Sequence, residues 1–218
     1  MKKVFLLITL LCAVPLLAAP AAQNAPAAKK KAAGKEKKKV ATPRDYANTL
    51  ATLQTDMGDI TMKFFYDKAP KHVENFVDLA AGGFYDGTMF HRVIPGFMIQ
   101  GGDPNTKKPE DAMHPYGTGG NMVDGKEQRL KAEFNDTSHK RGIVSMARAN
   151  DPNSASSQFF IVVKDSTFLD NQYSAFGEVV SGMEVADKIA ATPRGANDRP
   201  NSPIRIKKIL LTQAKSTS

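Results

Sequence analysis

The run Phe90-His91-Arg92-Val93-Ile94-Pro95-Gly96-Phe97-Met98-Ile99-Gln100-Gly101-Gly102-Asp103 concentrates several chemically useful side chains in a short space. Arg92 and Gln100 both carry hydrogen-bond donors that do not titrate, and Phe97 and Met98 beside them are large and apolar. The run contains no Ser/His/Asp nucleophile set, no paired carboxylates and no metal-ligand spacing. Such residues can hold an apolar ring and polarise a neutral carbonyl or amide, but they have no evident means of cutting a bond. Pro95-Gly96 reads as a hairpin turn. With a two-residue loop, Arg92 and Phe97 would share one face, and Met98 and Gln100 the other. Convergence of all four therefore demands a bulge, an irregular turn or a sheet edge.

The elements around this run are mostly short and alternate like strands. Residues 48–55 and 58–66 read as two strands across a turn at Asp56-Met57-Gly58, with Ile60, Met62 and Phe64 on one face. A helix follows, opened by Pro70 and ended at Gly82-Gly83, with Val73, Phe76, Val77 and Ala80 as its apolar stripe. Strands are expected over 88–94, 97–100, 142–147, 158–163, 175–180 and 204–211. A short second helix is expected around Val185 and Ile189. Residues 103–128, rich in Gly, Pro, Asn and Lys, read as a long loop. Many short strands with only two helices point to a mainly β, closed antiparallel barrel. The four histidines, 72, 91, 114 and 139, show no ligand spacing.

The ends read differently from the middle. Residues 1–21 resemble a secretory signal: Lys2 and Lys3, an apolar run over 4–17, then Ala19 and Ala21 in A-x-A spacing. That run is shorter than the roughly 18 residues of a spanning helix, so export with cleavage near Ala21 is expected. The single cysteine, Cys12, lies inside it, so the mature chain could form no disulfide in an oxidising compartment. Residues 22–45 are dominated by Ala, Pro and Lys and are expected to be a disordered arm. Residues 1–43 hold nine lysines and one glutamate, which equals the formal +8 of the whole chain; residues 44–218 balance at 21 basic and 21 acidic. The basic pI thus belongs to the end of the chain. A sequence-specific nucleic-acid surface loses its main support, and contact of the arm with anionic surfaces is the expectation left.

Five pieces in order carry a resemblance that covers residues 49–211. After Phe90-His91-Arg92-Val93-Ile94-Pro95-Gly96-Phe97-Met98 come Gly117-Thr118-Gly119-Gly120, Gly142-Ile143-Val144-Ser145-Met146-Ala147, Ser157-Gln158-Phe159-Phe160-Ile161 and Phe176-Gly177-Glu178-Val179. Together they resemble the cyclophilins, the cyclosporin-binding peptidyl-prolyl isomerases. The resemblance implies an isomerase domain over 46–213, with a short tail at 214–218. It implies eight strands closed into a barrel with a helix over each open end, and an enzyme with no metal and no cofactor. Its substrates would be proline-containing peptides and flexible protein segments.

Residue by residue, Arg92 matches the family's catalytic arginine and Gln100 the glutamine that bonds the substrate's main chain. Phe97, Met98, Phe160 and Leu169 match the walls of the proline pocket, Ala147 and Arg148 a main-chain strip that holds the peptide, and Gln158 a polar contact beside it. Phe168 and Tyr173 stand where the best-known eukaryotic members carry tryptophan and histidine. Phenylalanine lacks the indole N–H donor, so weak cyclosporin binding is expected. These replacements fit a bacterial, periplasmic member. A proline-peptide binding module or holdase chaperone, without turnover, is the alternative.

Overall fold

The structure is a computed structural model, and it describes residues 46–108, 113 and 115–214. The expected signal segment, the lysine arm, His114 and residues 215–218 lie outside the described residues. Eight strands form one antiparallel sheet: β1 (Thr49–Thr55), β2 (Gly58–Phe64), β3 (Arg92–Ile94), β4 (Met98–Gly101), β7 (Ile143–Met146), β8 (Phe159–Val162), β9 (Ala175–Ser181) and β10 (Ile206–Gln213). Their order across the sheet is β10-β1-β2-β9-β7-β8-β4-β3. Among the described residues, the helices packed with this sheet are α1 (Pro70–Ala81) and α2 (Met183–Ala190).

The sheet is an open half-barrel, which corrects the expected closed barrel. Its edges, β3 and β10, share no ladder. Between them run one isolated bridge, Met89 to Arg205, and flanking bonds from Phe90 N to the Ile204 carbonyl (2.9 Å) and from Ile206 N to the Thr88 carbonyl (2.8 Å). The expected strand over 88–94 is regular only from Arg92 onward. Just before it, the Met89 N–H donates to the Thr106 hydroxyl (2.9 Å), and the Thr88 hydroxyl donates to the Tyr85 carbonyl (2.7 Å). The Met89 N–H faces away from β10, because the Phe90 N–H and the Thr88 carbonyl are the groups turned toward it, so these bonds anchor the approach to β3 to neighbouring loops.

Alternation divides the strands between two environments. Leu53, Ile60, Met62, Val93, Ile99, Val144, Phe159 and Ile161 face one large core with α1 and α2. At its centre Phe76 lies within 5.0–5.6 Å of Tyr85, Phe159, Phe176 and Phe64, measured between ring centres. Each such ring contributes about 1.5–3 kcal/mol by leaving water. Helix α1 buries Val73, Phe76, Val77 and Ala80 as expected, and also His72. No side chain of its own caps it; instead Glu133, from a distant loop, accepts from the N–H groups of Lys71 and His72 (3.1 and 3.0 Å). A carboxylate at a helix N-terminus satisfies open donors and opposes the positive end of the dipole.

The expected long loop over 103–128 is partly ordered. It contains a 3-10 turn (Pro104–Lys107) and a two-strand hairpin, β5 (Met122–Val123) with β6 (Lys126–Glu127). Asp124 and Gly125 turn that hairpin with φ of 50° and 76°, the pattern that Asp-Gly favours.

Candidate active site

A three-residue connection resolves the convergence problem at the Pro95-Gly96 hairpin. The ladder pairs Arg92 with Gln100, Val93 with Ile99 and Ile94 with Met98, leaving Pro95, Gly96 and Phe97 as the loop. Phe97 N donates to the Ile94 carbonyl at 3.1 Å and Gly96 has φ +70°, the arrangement of a type II turn with proline and glycine at its centre. Directly opposed residues share a face, so Arg92, Ile94, Met98 and Gln100 all point outward, while Phe97, freed from alternation, folds over them. The register continues into β8, where Met98 opposes Val162 and Gln100 opposes Phe160. This outer face of the sheet carries a second, smaller apolar cluster: Met98, Phe160, Val162 and Leu169, with Ile94, Phe97, Ala147 and Tyr173 packed against it.

The cluster surrounds a cavity of about 110 Å³ lined by Arg92, Phe97, Met98, Gln100, Ala147, Arg148, Phe160, Leu169 and Tyr173. Every site residue expected from the sequence lines it except Gln158 and Phe168. Gln158 borders an adjoining cavity of about 340 Å³ that shares Gln100, Ala147 and Arg148. Phe168 is 64% exposed and lies on the rim, its ring 5.4 Å from that of Phe97. Apolar walls with a few placed polar groups are the usual makeup of a small binding pocket.

The polar groups are held by named partners. Gln100 Nε2 donates to Gln158 Oε1 (2.9 Å), and Gln158 Nε2 donates to the Gly119 carbonyl (2.8 Å). Gln100 keeps its carbonyl oxygen and a second N–H for the pocket. Gly119 belongs to the Gly117-Thr118-Gly119-Gly120 loop, which is anchored by Gly117 N donating to the fully buried Asp103. A Cβ on Gly119 would stand 2.1 Å from Asp103 Oδ1, so only glycine fits that approach. At the main-chain strip expected over Ala147 and Arg148, Ala147 N donates to the Gln158 carbonyl (2.9 Å), so this N–H is already taken. The Arg148 guanidinium lies over the Tyr173 ring at 4.6 Å, and its Nε donates to the Gln172 carbonyl (3.0 Å). That side chain closes one wall of the cavity.

The back wall rests on a network that the sequence did not suggest. His139 Nδ1 lies 3.0 Å from Asp170 Oδ1 and its Nε2 lies 3.1 Å from Ser145 Oγ. A carboxylate only accepts, so Nδ1 carries the proton, and Ser145 donates to Nε2. This is the connectivity of a nucleophile triad, but Ser145 is fully buried, so no substrate carbonyl reaches it. The network instead fixes the His139 ring 6.2 Å from Phe160 and 6.5 Å from Tyr173. Its members lie in three separate segments, and no local spacing betrays them.

Three buried histidines stay neutral. Burial lowers the pKa of His72, against the opposing pull of Glu133, and that of His139, against the pull of Asp170. His91 is lowered chiefly by burial too, with Arg199 and Arg92 adding to the effect and Asp103 opposing it. Among the described residues, neither ring nitrogen of His91 has a hydrogen-bond partner.

Comparison with known proteins agrees with this geometry. The family model described as cyclophilin type peptidyl-prolyl cis-trans isomerase matches residues 50–210. The chain belongs to this family. It is 41% identical over 160 residues to a peptidyl-prolyl cis-trans isomerase of Arabidopsis thaliana, covering 73% of this chain and 94% of that one. It is 44% identical over 172 residues to a probable peptidyl-prolyl cis-trans isomerase of Brucella abortus, covering 77% and 84%. A cyclophilin type isomerase of Cryptosporidium parvum, crystallised in the presence of the dipeptide Ala-Pro, superposes with a TM-score of 0.67 at 33% identity, covering 75% of this chain and 99% of that one. For this cyclophilin-type chain, the outward face of β3, β4 and β8 is the candidate active site.

Proposed function

We propose that this cyclophilin-type protein accelerates X–Pro rotation in flexible segments of exported proteins by stabilising the twisted amide, without a covalent intermediate. The observation that carries this is the shared outward face of Arg92 and Gln100 above the apolar walls of Met98 and Phe160. Rotation breaks amide resonance, a barrier of roughly 18–20 kcal/mol. The proline ring would sit on Phe97, Met98, Phe160 and Leu169, while the Arg92 guanidinium donates toward the proline nitrogen. That lone pair localises only as the bond twists, so the donor favours the transition state over the ground state. Removing about 7 kcal/mol would raise the rate about 10⁵-fold. A proline-peptide assay on the purified domain tests this; binding with no acceleration would leave only a holdase.

Cyclosporin is expected to inhibit weakly, because Phe168 offers the rim a ring without a donor. Phe168→Trp should tighten inhibition by roughly 3- to 10-fold, the worth of one hydrogen bond, and change peptide turnover less. Inhibition constants for the two proteins check this; equal constants would contradict it.

The leader-like residues 1–21 support export to a periplasm, with the lysine arm left at the mature N-terminus. The mass of protein recovered from a periplasmic extract is expected to start near residue 22. Intact chain confined to the cytoplasm would contradict this. The arm supports salt-sensitive contact with anionic surfaces. Deleting 22–42 should remove that binding to anionic vesicles and leave turnover unchanged, since exposed charges are screened within about 10 Å at 0.1 M salt.

A further inference from the structure

We infer that Asp198 is a positioning residue that holds the Arg92 guanidinium ready for the twisting amide. This rests on the reading of Arg92 as the donor. Asp198 lies outside every motif that carries the family resemblance, in a turn (Ala196–Asp198) between α2 and β10. Its carboxylate is forked: Oδ2 accepts from Arg92 Nε at 3.3 Å, and Oδ1 lies 3.3 Å from Arg194 Nε. Arg92 lines the 110 Å³ proline cavity on one side and, on the other, a cavity of about 410 Å³ that Asp198 also lines. Holding Nε from behind leaves the two terminal NH₂ groups free to turn toward the substrate.

The loop is shaped to deliver this carboxylate. Asn197 and Asp198 both adopt left-handed backbone, with φ of 59° and 57°, a conformation costly for most residues and tolerated best by Asn and Asp. Two consecutive residues in that region persist only where the surroundings dictate it. Here the surroundings do so: Gly195 N donates to the Arg199 carbonyl (2.8 Å), Asn201 N donates to the Pro193 carbonyl (2.9 Å), and Arg194 bridges to Pro200. The fold thus accepts strained backbone at the point where an acid meets Arg92. An arginine on a strand edge whose side chain is 42% exposed would otherwise sample many rotamers, few of them aimed into the pocket. Arg194 shares the carboxylate, so the pair is a loose guide and not a lock, and Arg92 can still shift as the amide turns.

The test uses Asp198→Asn, which keeps shape and left-handed tolerance but loses the charge, and Asp198→Gly, which keeps only the backbone. Both should leave the melting temperature and KM for a short uncharged X–Pro peptide close to wild type. Both should lower kcat by about three- to fivefold, the range open to a partly exposed charge pair. Asp198→Asn should have no further effect in an Arg92→Ala background, because its action passes through Arg92. Wild-type kcat in folded Asp198→Asn would overturn the inference. An equal loss with and without Arg92 would overturn it too, since Asp198 would then act by another route. Full turnover by Arg92→Ala alone would instead overturn the role of Arg92 in catalysis.

Discussion

Arg92→Ala is expected to lower kcat for a short proline peptide by about 10² to 10³, the usual cost of removing one donor aimed at a transition state. Peptide affinity should change little, because the apolar walls Met98, Phe160 and Leu169 stay in place. The fold should survive as well: Arg92 sits on the edge strand β3 with its side chain substantially exposed, and its guanidinium bonds to the partly exposed Asp198. Arg92→Lys should recover only a small part of the loss. An ammonium is a point charge and cannot serve the proline nitrogen and a neighbouring acceptor together from one plane. Steady-state kinetics on the three proteins check this, and a folded Arg92→Ala enzyme with wild-type kcat would contradict it.

Acid is expected to destabilise the domain well above the range where carboxylates titrate. His72, His91 and His139 are buried and held neutral by desolvation. In the unfolded chain each takes a proton below a pH of about 6.5, whereas in the fold each resists until its lowered pKa is reached. Stability from these groups is therefore complete above that pH and lost progressively as pH falls toward the folded-state values. Three such groups set an upper slope of about 4 kcal/mol per pH unit. The carboxylate of Asp170, held low first by the His139 N–H, acts in a separate window, below a pH of about 4. Urea unfolding at pH 8, 6.5 and 5.5 measures this. Equal stability at all three would show that the rings are not held neutral.

Read from the residues alone, the legible parts of this molecule are those encoded locally, as the stripe of Val73, Phe76, Val77 and Ala80 specifies α1. The pocket walls were named through the family resemblance, which gave Phe97 and Met98 beside the hairpin and Phe160 and Leu169 far from it. At the hairpin itself, register was open: one extra loop residue, Phe97, moves Met98 and Gln100 onto the face of Arg92. The β5–β6 hairpin was missed, because the polar composition around Asp124-Gly125 reads as part of one long loop. What could not be read is what distant loops assemble. Glu133 capping α1, His139 between Asp170 and Ser145, and Asp198 behind Arg92 join residues 106 or fewer positions apart with no shared spacing. The missing closure was not legible either, since it turns on how segments far apart in the chain meet, where one bridge, Met89 to Arg205, stands in place of a ladder.

The most direct measurement of the central claim is magnetisation exchange between the cis and trans signals of one proline peptide, recorded with wild-type protein and with Arg92→Ala at equal saturation. Free exchange takes tens to hundreds of seconds and gives no cross-peaks. Wild type should produce strong cross-peaks, while Arg92→Ala should shift the peptide's signals as binding requires and leave the cross-peaks nearly absent. Cross-peaks of equal strength from both proteins would contradict transition-state stabilisation by Arg92.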